Sequence, residues 1–234
     1  HPMGPRAPPD VVPRSIDNEM KVRGDDCDYL DVTHRDPAET INHFPNIYRK
    51  CLSIGIDITK DMIPVAPAAH YCCGGVKVDL NGETSIKRLY ALGETSCTGL
   101  HGANRLASNS LTEAVVYADQ AARHSAEHLD EYTLQRNIPD WNDDGTTATE
   151  EMILITQNAK EMQQIMSNYV GIVRSDLRLE RALRRLEIIY KENEELFQKS
   201  KLNKELCELR NMIDVGYLII KQAQSMKKSI GLHY

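Results

Sequence analysis

Residues 66–113 read APAAHYCCGGVKVDLNGETSIKRLYALGETSCTGLHGANRLASNSLTE, and this stretch decides the fold of the chain. Its later part, GLHGANRLASNSL, is a long loop that carries little charge and a single arginine, Arg105, among small residues. Glycines allow a backbone to approach a ligand closely, and an isolated guanidinium is well placed to meet an anion. The loop therefore predicts a binding site.

A helix is predicted to begin where this loop ends. Ser110 is followed three positions later by Glu113 and then by an apolar-periodic run, which is the pattern of a capping box. The predicted helix covers about 110–128. Because a helix N-terminus presents unpaired backbone amides, its position beside a Gly-rich loop favours an anion or cofactor site.

Composition excludes several classes of function. The 234 residues can bury a core of one or two domains, and a net charge of −6 gives no reason to expect nucleic acid or an anionic membrane as partner. No apolar run approaches the roughly 18 residues that a membrane span needs. The six cysteines include no C-x-x-C pair, so we predict neither a disulfide framework nor a metal site. Reduced cysteines favour a cytoplasmic protein.

Periodicity and turn signals predict the elements before residue 110. The Pro-rich HPMGPRAPPDVV is interpreted as a lead-in segment. We predict helices over 11–22 and 37–55, a strand over 27–33, a hairpin that joins VKVDL to the segment after Asn81-Gly82, and a buried strand, IKRLYALGE, that ends at Gly93-Glu94.

The second half of the chain is predicted to be helical. Residues 137–149, NIPDWNDDGTTAT, are polar and indicate a linker. Three helices are predicted, over about 150–173, 176–199 and 203–228, with Ser and Asn capping the breaks. An antiparallel bundle is favoured over a coiled coil, because the apolar positions do not keep a strict heptad. The predicted fold class is α+β: short strands followed by a three-helix bundle.

Several motifs resemble one flavoprotein family. LYALGE, GLHGANRLASNSL and PAAHYCCGG, together with NYVGIVRSDLRLERALRRL, LCELRNMIDVGYLII and SIGLHY, resemble the L-aspartate oxidases, relatives of the flavoprotein subunits of fumarate reductase and succinate dehydrogenase. The resemblance runs from about Asp10 to Tyr234 and corresponds to the C-terminal portion of such an enzyme. It implies FAD as cofactor and a chain inactive alone, since the family's Gly-rich dinucleotide fingerprint is not among these residues.

The resemblance also implies a division of the chain into domains. Residues 1–65 would be part of the capping domain and 66–136 the last part of the FAD-binding domain. Residues 137–149 would be the linker, and 150–234 the helical C-terminal domain.

Individual site residues follow from the matched motifs. Glu94, at the end of LYALGE, matches an acidic FAD contact, and Ser110 and Leu111 match backbone positions that meet the flavin ring. Arg105 matches the arginine that binds one substrate carboxylate, a role suited to a guanidinium fork. His70 matches the histidine that holds the second carboxylate.

One position departs from the family. The family reads Arg-Asp-Val-Val-x-Arg where this chain reads PDVVPR from Pro9 to Arg14, so Pro9 replaces the proton-transfer arginine. Proline cannot carry a proton, and we assign the role neither to Arg14 nor to Arg6. No catalytic residue is therefore assigned. His101 is left open between packing beneath the flavin and a role in the site.

The function implied is the FAD-dependent oxidation of L-aspartate to iminoaspartate, with oxygen or fumarate as the electron acceptor. Such an enzyme serves NAD biosynthesis, with quinolinate synthase as a possible partner. Two alternatives stay open: a flavoprotein of the fumarate reductase or succinate dehydrogenase type, and a catalytically silent fragment whose helices serve as an interaction module. The sequence does not predict the oligomeric state.

Overall fold

The chain forms two compact units. The computed structural model describes residues 11–148 and 151–234, and one unit ends at Ala68 where the other begins at Ala69. The predicted four-part division stays a prediction, and its residues 1–10 and 149–150 lie outside the described ranges. In those ranges, no helix is both long enough and apolar enough to cross a membrane.

Helices dominate both units, and the α+β class is confirmed. In chain order the helices and strands are α1 (Val11–Arg23), β1 (Asp28–Leu30), α2 (Pro37–His43), α3 (Pro45–Leu52), β2 (Ile63–Val65), β3 (Val76–Lys77), β4 (Ser96–Cys97), α4 (Asn109–Glu127), α5 (Met152–Ile165), α6 (Asp176–Lys199) and α7 (Lys204–Ser225).

From residue 11 onward, the first unit contains a small antiparallel sheet and three helices. β1 pairs with β2, with Asp28 opposite Val65. The prediction of one helix over 37–55 is wrong, because the chain breaks into α2 and α3 at Phe44, whose φ is −125° and ψ 54°. Phe44 precedes Pro45, and a residue before proline is driven out of the helical region. Pro45 then opens α3 at a position where proline is tolerated.

The second unit begins with a parallel pair of very short strands. β3 lies beside β4, with Val76 opposite Ser96. The chain reaches this register through Gly75, which has a φ of +126° and where a Cβ would lie 2.2 Å from the carbonyl oxygen of Thr95. Only glycine allows so close an approach of two backbones.

The predicted hairpin and buried strand are wrong. Asp79 closes a local turn around Asn81-Gly82, since its carboxylate accepts the backbone N–H groups of Asn81 and Glu83. After that turn the chain forms one isolated bridge, between Glu83 and Tyr90, and Ile86 is exposed. The Asp79 side chain therefore replaces the ladder that a hairpin would have formed.

The three-helix bundle is confirmed. Ser175 and Asn203 cap α6 and α7 by accepting the N–H groups of Arg178 and Leu206. α6 and α7 run antiparallel, because ion pairs join Glu194 to Arg210 near the connecting loop and Asp176 to Lys227 at the far end.

Buried residues repeat at a spacing of seven along the contact between α6 and α7, although the apolar positions alone do not keep a strict heptad. The buried residues repeat at that spacing on both helices: Leu179, Leu186 and Asn193; Ala182 and Ile189; Leu206, Ile213 and Ile220; Leu209, Gly216 and Ala223. A polar residue, a glycine and two alanines occupy repeat positions, and they conceal the heptad in the sequence.

α4 begins one residue earlier than predicted, and the capping box is wrong. The N-cap is Ser108, which has a φ of +68° and makes no side-chain cap bond. Glu113 does not bond back to the helix start. Its carboxylate instead accepts hydrogen bonds from residues outside α4.

The C-terminal tail contacts the loop that carries Arg105. Leu232 donates its N–H to the carbonyl of Ala103 at 3.0 Å. Gly231 lies so close to the same carbonyl that a Cβ would be 2.2 Å from its oxygen. The tail is fixed to the bundle by Arg174, whose backbone N–H donates to Tyr234 O at 2.8 Å. The bundle is thereby connected to the loop.

Candidate functional site

Arg105 is a cation without an anionic partner among the described residues. Its guanidinium lies over the ring of Tyr71, with Cζ 5.0 Å from the ring centroid. Nη1 donates to the carbonyl of Leu106 at 3.3 Å, and the buried Nε has no hydrogen-bond partner. A buried donor without a partner is costly, so this group is arranged for an acceptor that comes from outside these residues.

The His70-Tyr71 turn is held by Glu94. Glu94 Oε1 accepts the backbone N–H of Cys72 at 3.0 Å. His70 is exposed on this turn, directly before the tyrosine that stacks with Arg105. The turn also contains Cys73 at a φ of +51°, a strained backbone of the kind that concentrates at functional sites.

Glu113 is a buried carboxylate that joins three segments. It is 3% exposed, and a carboxyl group is seldom so deeply buried unless it has partners. His101 donates from Nε2 to Glu113 Oε2 at 2.7 Å, and the Tyr71 hydroxyl donates to the same oxygen at 3.4 Å. The Thr98 hydroxyl donates to Oε1. Three hydrogen bonds from side chains compensate for the loss of water around this carboxylate.

The pKa of Tyr71 is raised in this setting. Burial of the hydroxyl is the largest cause, followed by the negative charges of Glu113 and Glu94, while Arg105 acts in the opposite direction. The phenol therefore keeps its proton at neutral pH and remains a hydrogen-bond donor to Glu113.

The start of α4 is open to a ligand. Leu111 is 77% exposed in the first turn, and Ser110 is partly exposed. A 19-residue helix leaves its first backbone N–H groups without helical partners, and these groups carry the positive end of the helix dipole. Gly99 and Gly102 precede this helix, and a Cβ at either would meet nothing within 4 Å.

The predicted site residues are placed as follows. Arg105, the His70-Tyr71 turn and Glu94 are connected through the contacts described above, all in the second unit. Ser110 and Leu111 share α4 with Glu113. Pro9 and Arg6 lie outside the described residues, and Arg14 is in α1 of the first unit. Within the described ranges, no group of three or more metal-ligating side chains is placed to hold an ion.

Sequence reasoning missed the role of Glu113 and of Tyr71. A signal was present: Glu113 lies eight residues before Ala121, and both are buried on α4. Positions eight apart share one face of a helix, so a carboxylate on the buried face required partners. The S-x-x-E spacing led instead to the prediction that this carboxylate caps the start of the helix.

Comparisons with known proteins agree with the predicted resemblance. The family model described as FAD binding domain matches residues 3–111, and the one described as fumarate reductase flavoprotein C-term matches residues 159–234. The L-aspartate oxidase of Yersinia pestis is 48% identical over 233 residues, which are 100% of this chain and 44% of that protein. The L-aspartate oxidase of Pseudomonas aeruginosa is 48% identical over 234 residues, 100% of this chain and 43% of that protein.

A solved structure has the same fold. A quinol-fumarate reductase determined with menaquinol molecules matches with a TM-score of 0.75 and 26% sequence identity, over 97% of this chain and 43% of that one. The chain thus spans less than half the length of the curated relatives that it matches. The resemblance to L-aspartate oxidases is confirmed along the whole chain.

Proposed function

We propose, from this similarity to L-aspartate oxidases, that the chain supplies part of the flavin and dicarboxylate site of such an enzyme. The complete enzyme would oxidise L-aspartate to iminoaspartate, and oxygen or fumarate would reoxidise its flavin. The bound FAD would supply the hydride acceptor. The residues of this chain would bind the substrate, orient it and hold the edge of the cofactor.

The observation that carries the proposal is the state of Arg105. Its guanidinium has no carboxylate partner among the described residues, and its buried Nε is unpaired. A guanidinium binds a carboxylate through two parallel hydrogen bonds, which Lys cannot reproduce. The Tyr71 ring beneath it restricts the orientation of the fork, so a substrate carboxylate would meet a preorganised cation.

The remaining predicted residues suit a dicarboxylate and a flavin. His70 lies next to Tyr71 in the sequence and is exposed, so it is available for a second carboxylate. The free amides of Ser110 and Leu111 at the start of α4 suit the electron-rich edge of a flavin. Glu94 uses Oε1 for the turn and is exposed, which leaves Oε2 available for a cofactor hydroxyl.

The runner-up is a flavoprotein of the fumarate reductase or succinate dehydrogenase type. The C-terminal family model and the quinol-fumarate reductase structure support it. Identity favours the oxidase, at 48% against 26%. Turnover of aspartate and of succinate by the complete enzyme separates the two, since only an oxidase acts on the amino acid.

Three further parts of the proposal concern the whole protein. We propose that it acts in NAD biosynthesis, that quinolinate synthase consumes its product, and that it works in the cytoplasm. Pro9 stands where the family has a proton-transfer arginine, so the proposal assigns no residue of this chain to proton transfer.

The test is Arg105→Ala in the complete enzyme that contains this segment. We expect kcat/KM for aspartate to fall on the order of 30- to 4,000-fold, which corresponds to a loss of about 2–5 kcal/mol of transition-state stabilisation. FAD should remain bound. Arg123→Ala is the control, because Arg123 is exposed on α4 and forms an ion pair with Asp119 four residues earlier. An unchanged kcat/KM in Arg105→Ala would refute the proposed role.

A flavin titration of the 234-residue chain tests the silent-fragment alternative. Stoichiometric FAD binding followed by aspartate oxidation would eliminate that alternative. If the complete enzyme binds FAD and the chain alone does not, the cofactor depends on residues beyond this segment.

A further inference from the structure

Glu113 lies at the centre of the site without contacting a predicted ligand. Its side chain is 1% exposed and bonds to Tyr71, Thr98 and His101, which come from the His70-Tyr71 turn and from the loop before α4. Arg105 is not among its partners. A buried carboxylate close to an arginine normally pairs with it, so this separation requires an explanation.

Tyr71 provides the connection between Glu113 and Arg105. One side of this residue is the hydroxyl bound by Glu113, and its ring carries the guanidinium of Arg105 at 5.0 Å. The same ring forms a T-shaped contact with the His101 ring, at a centroid distance of 5.0 Å and an angle of 88°. Glu113 thus holds Tyr71 twice, directly through the hydroxyl and indirectly through His101.

The arrangement keeps Arg105 available. Because Glu113 accepts from three donors, its acceptor capacity is directed away from the guanidinium. The cation is meanwhile held on the ring of Tyr71.

We propose that Glu113 is a positioning residue that sets the place of Arg105 through Tyr71, and this inference rests on the proposed dicarboxylate site. A carboxylate at this position fixes the tyrosine, the tyrosine fixes the guanidinium, and the guanidinium receives the substrate. His101, which bonds to Glu113 and contacts the Tyr71 ring, serves as the second brace of the same ring.

The first test uses the 234-residue chain without cofactor. In the wild type, we expect the ring current of Tyr71 to shift the Arg105 side-chain proton resonances upfield, because the guanidinium lies over the ring. Glu113→Gln replaces the carboxylate by a neutral amide, which forms weaker hydrogen bonds than a charged acceptor, and we expect the Arg105 shift to collapse towards its random-coil value. Glu127→Gln, exposed on the same helix, is the control. An unchanged Arg105 shift in Glu113→Gln would overturn the proposal.

The second test measures inhibitor binding in the complete enzyme. Because a displaced guanidinium no longer meets the carboxylate in the bidentate geometry, we expect Glu113→Gln to weaken succinate on the order of tenfold or more and to leave the affinity for FAD nearly unchanged. Tyr71→Phe, which keeps the ring and removes the hydroxyl, should reproduce part of the loss. Equal weakening of succinate and FAD would indicate a general structural role and overturn the proposal.

A double variant tests the path through Arg105. In an Arg105→Ala background, Glu113→Gln should not weaken succinate further, because the group that it positions is gone. A further loss as large as in the wild-type background would overturn the proposal. If the wild-type enzyme does not bind succinate at all, the proposed function fails, while the Arg105 resonances in the chain still decide the role of Glu113.

Discussion

Replacement of Asn193 by leucine should stabilise the helical bundle. Asn193 is 1% exposed in the contact between α6 and α7, and both its Nδ2 and Oδ1 lack a hydrogen-bond partner. Leaving a buried polar group unpaired costs about 1–3 kcal/mol. Leucine has the same branching at Cγ, so it removes the polar atoms with little change in shape, and its higher helix propensity adds a few tenths of a kcal/mol.

The free energy of unfolding in urea measures this gain. With a slope of about 2 kcal/mol per M, a gain of about 2 kcal/mol moves the midpoint by about 1 M at constant slope. Helical circular dichroism is the suitable signal, because Trp141 is 69% exposed and its fluorescence would report little of the bundle. Asn211→Leu is the matched control, since Asn211 is exposed on α7 and shares only the gain in helix propensity.

The comparison between the two variants is decisive. We expect Asn193→Leu to exceed Asn211→Leu by about 1 kcal/mol or more. If Asn193→Leu were equal to or less stable than the control, the amide of Asn193 would have to be hydrogen-bonded in solution, and the assignment of an unpaired buried group would be refuted.

Two further predictions concern the backbone and the response to acid. Gly75→Ala should lower the free energy of unfolding by about 2–4 kcal/mol, because the new Cβ would lie 2.2 Å from Thr95 O at a φ of +126°. Gly99→Ala is the control: Gly99 also has a positive φ but lies in open space, so its replacement should cost only about 1 kcal/mol. Equal losses of the two variants in urea unfolding would contradict the steric argument. Asp57 has a pKa lowered from 3.8 to about 2, chiefly by the hydrogen bond from Lys60, so its stabilising contribution is present above pH 3.8 and is lost as the pH falls through about 2. A carboxyl ¹³C NMR titration should place the midpoint near 2 and move it upward in Lys60→Ala, whereas a midpoint of 3.8 in the wild type would disprove the assignment.

Local sequence signals predicted the helices well and the strands poorly. α6 coincides with its predicted range of 176–199, because apolar periodicity and the Ser175 cap act within the same segment. β3 and β4 are two residues each and pair in parallel across a separation of twenty residues, so no local pattern marks them. Asn81-Gly82 does mark a turn, but the turn is closed by the side chain of Asp79, which accepts the backbone N–H of Asn81, and not by a strand ladder.

The candidate site shows the same contrast between features marked by local sequence and features that depend on the fold. Arg105 could be found from composition, because one cation in a small-residue loop is visible in the sequence. The burial of Glu113 was visible in the spacing to Ala121, but its partners were not, because S-x-x-E fits a cap whether or not other donors bond to the carboxylate. The carboxylate accepts its hydrogen bonds from Thr98, His101 and Tyr71, and the positions of these side chains depend on the fold of the loops that carry them.

Three buried polar groups in the second unit show how burial relates to function. Asn193 is buried with both amide atoms unpaired, so it weakens the bundle, and a polar residue in such a seam is best explained by selection of helix register. Glu113 is buried with three donors and holds other side chains in place. Arg105 shares one feature with each of them: its Nε lacks a hydrogen-bond partner, as the amide of Asn193 does, and its guanidinium is held in place, here by the ring of Tyr71. A carboxylate ligand requires an unpaired donor in a fixed position, and the Tyr71 ring, held by Glu113, fixes the guanidinium. Without that support, Arg105 would be an unpaired buried group like Asn193. The functional interpretation of Arg105 therefore depends on Glu113 as much as on the guanidinium itself.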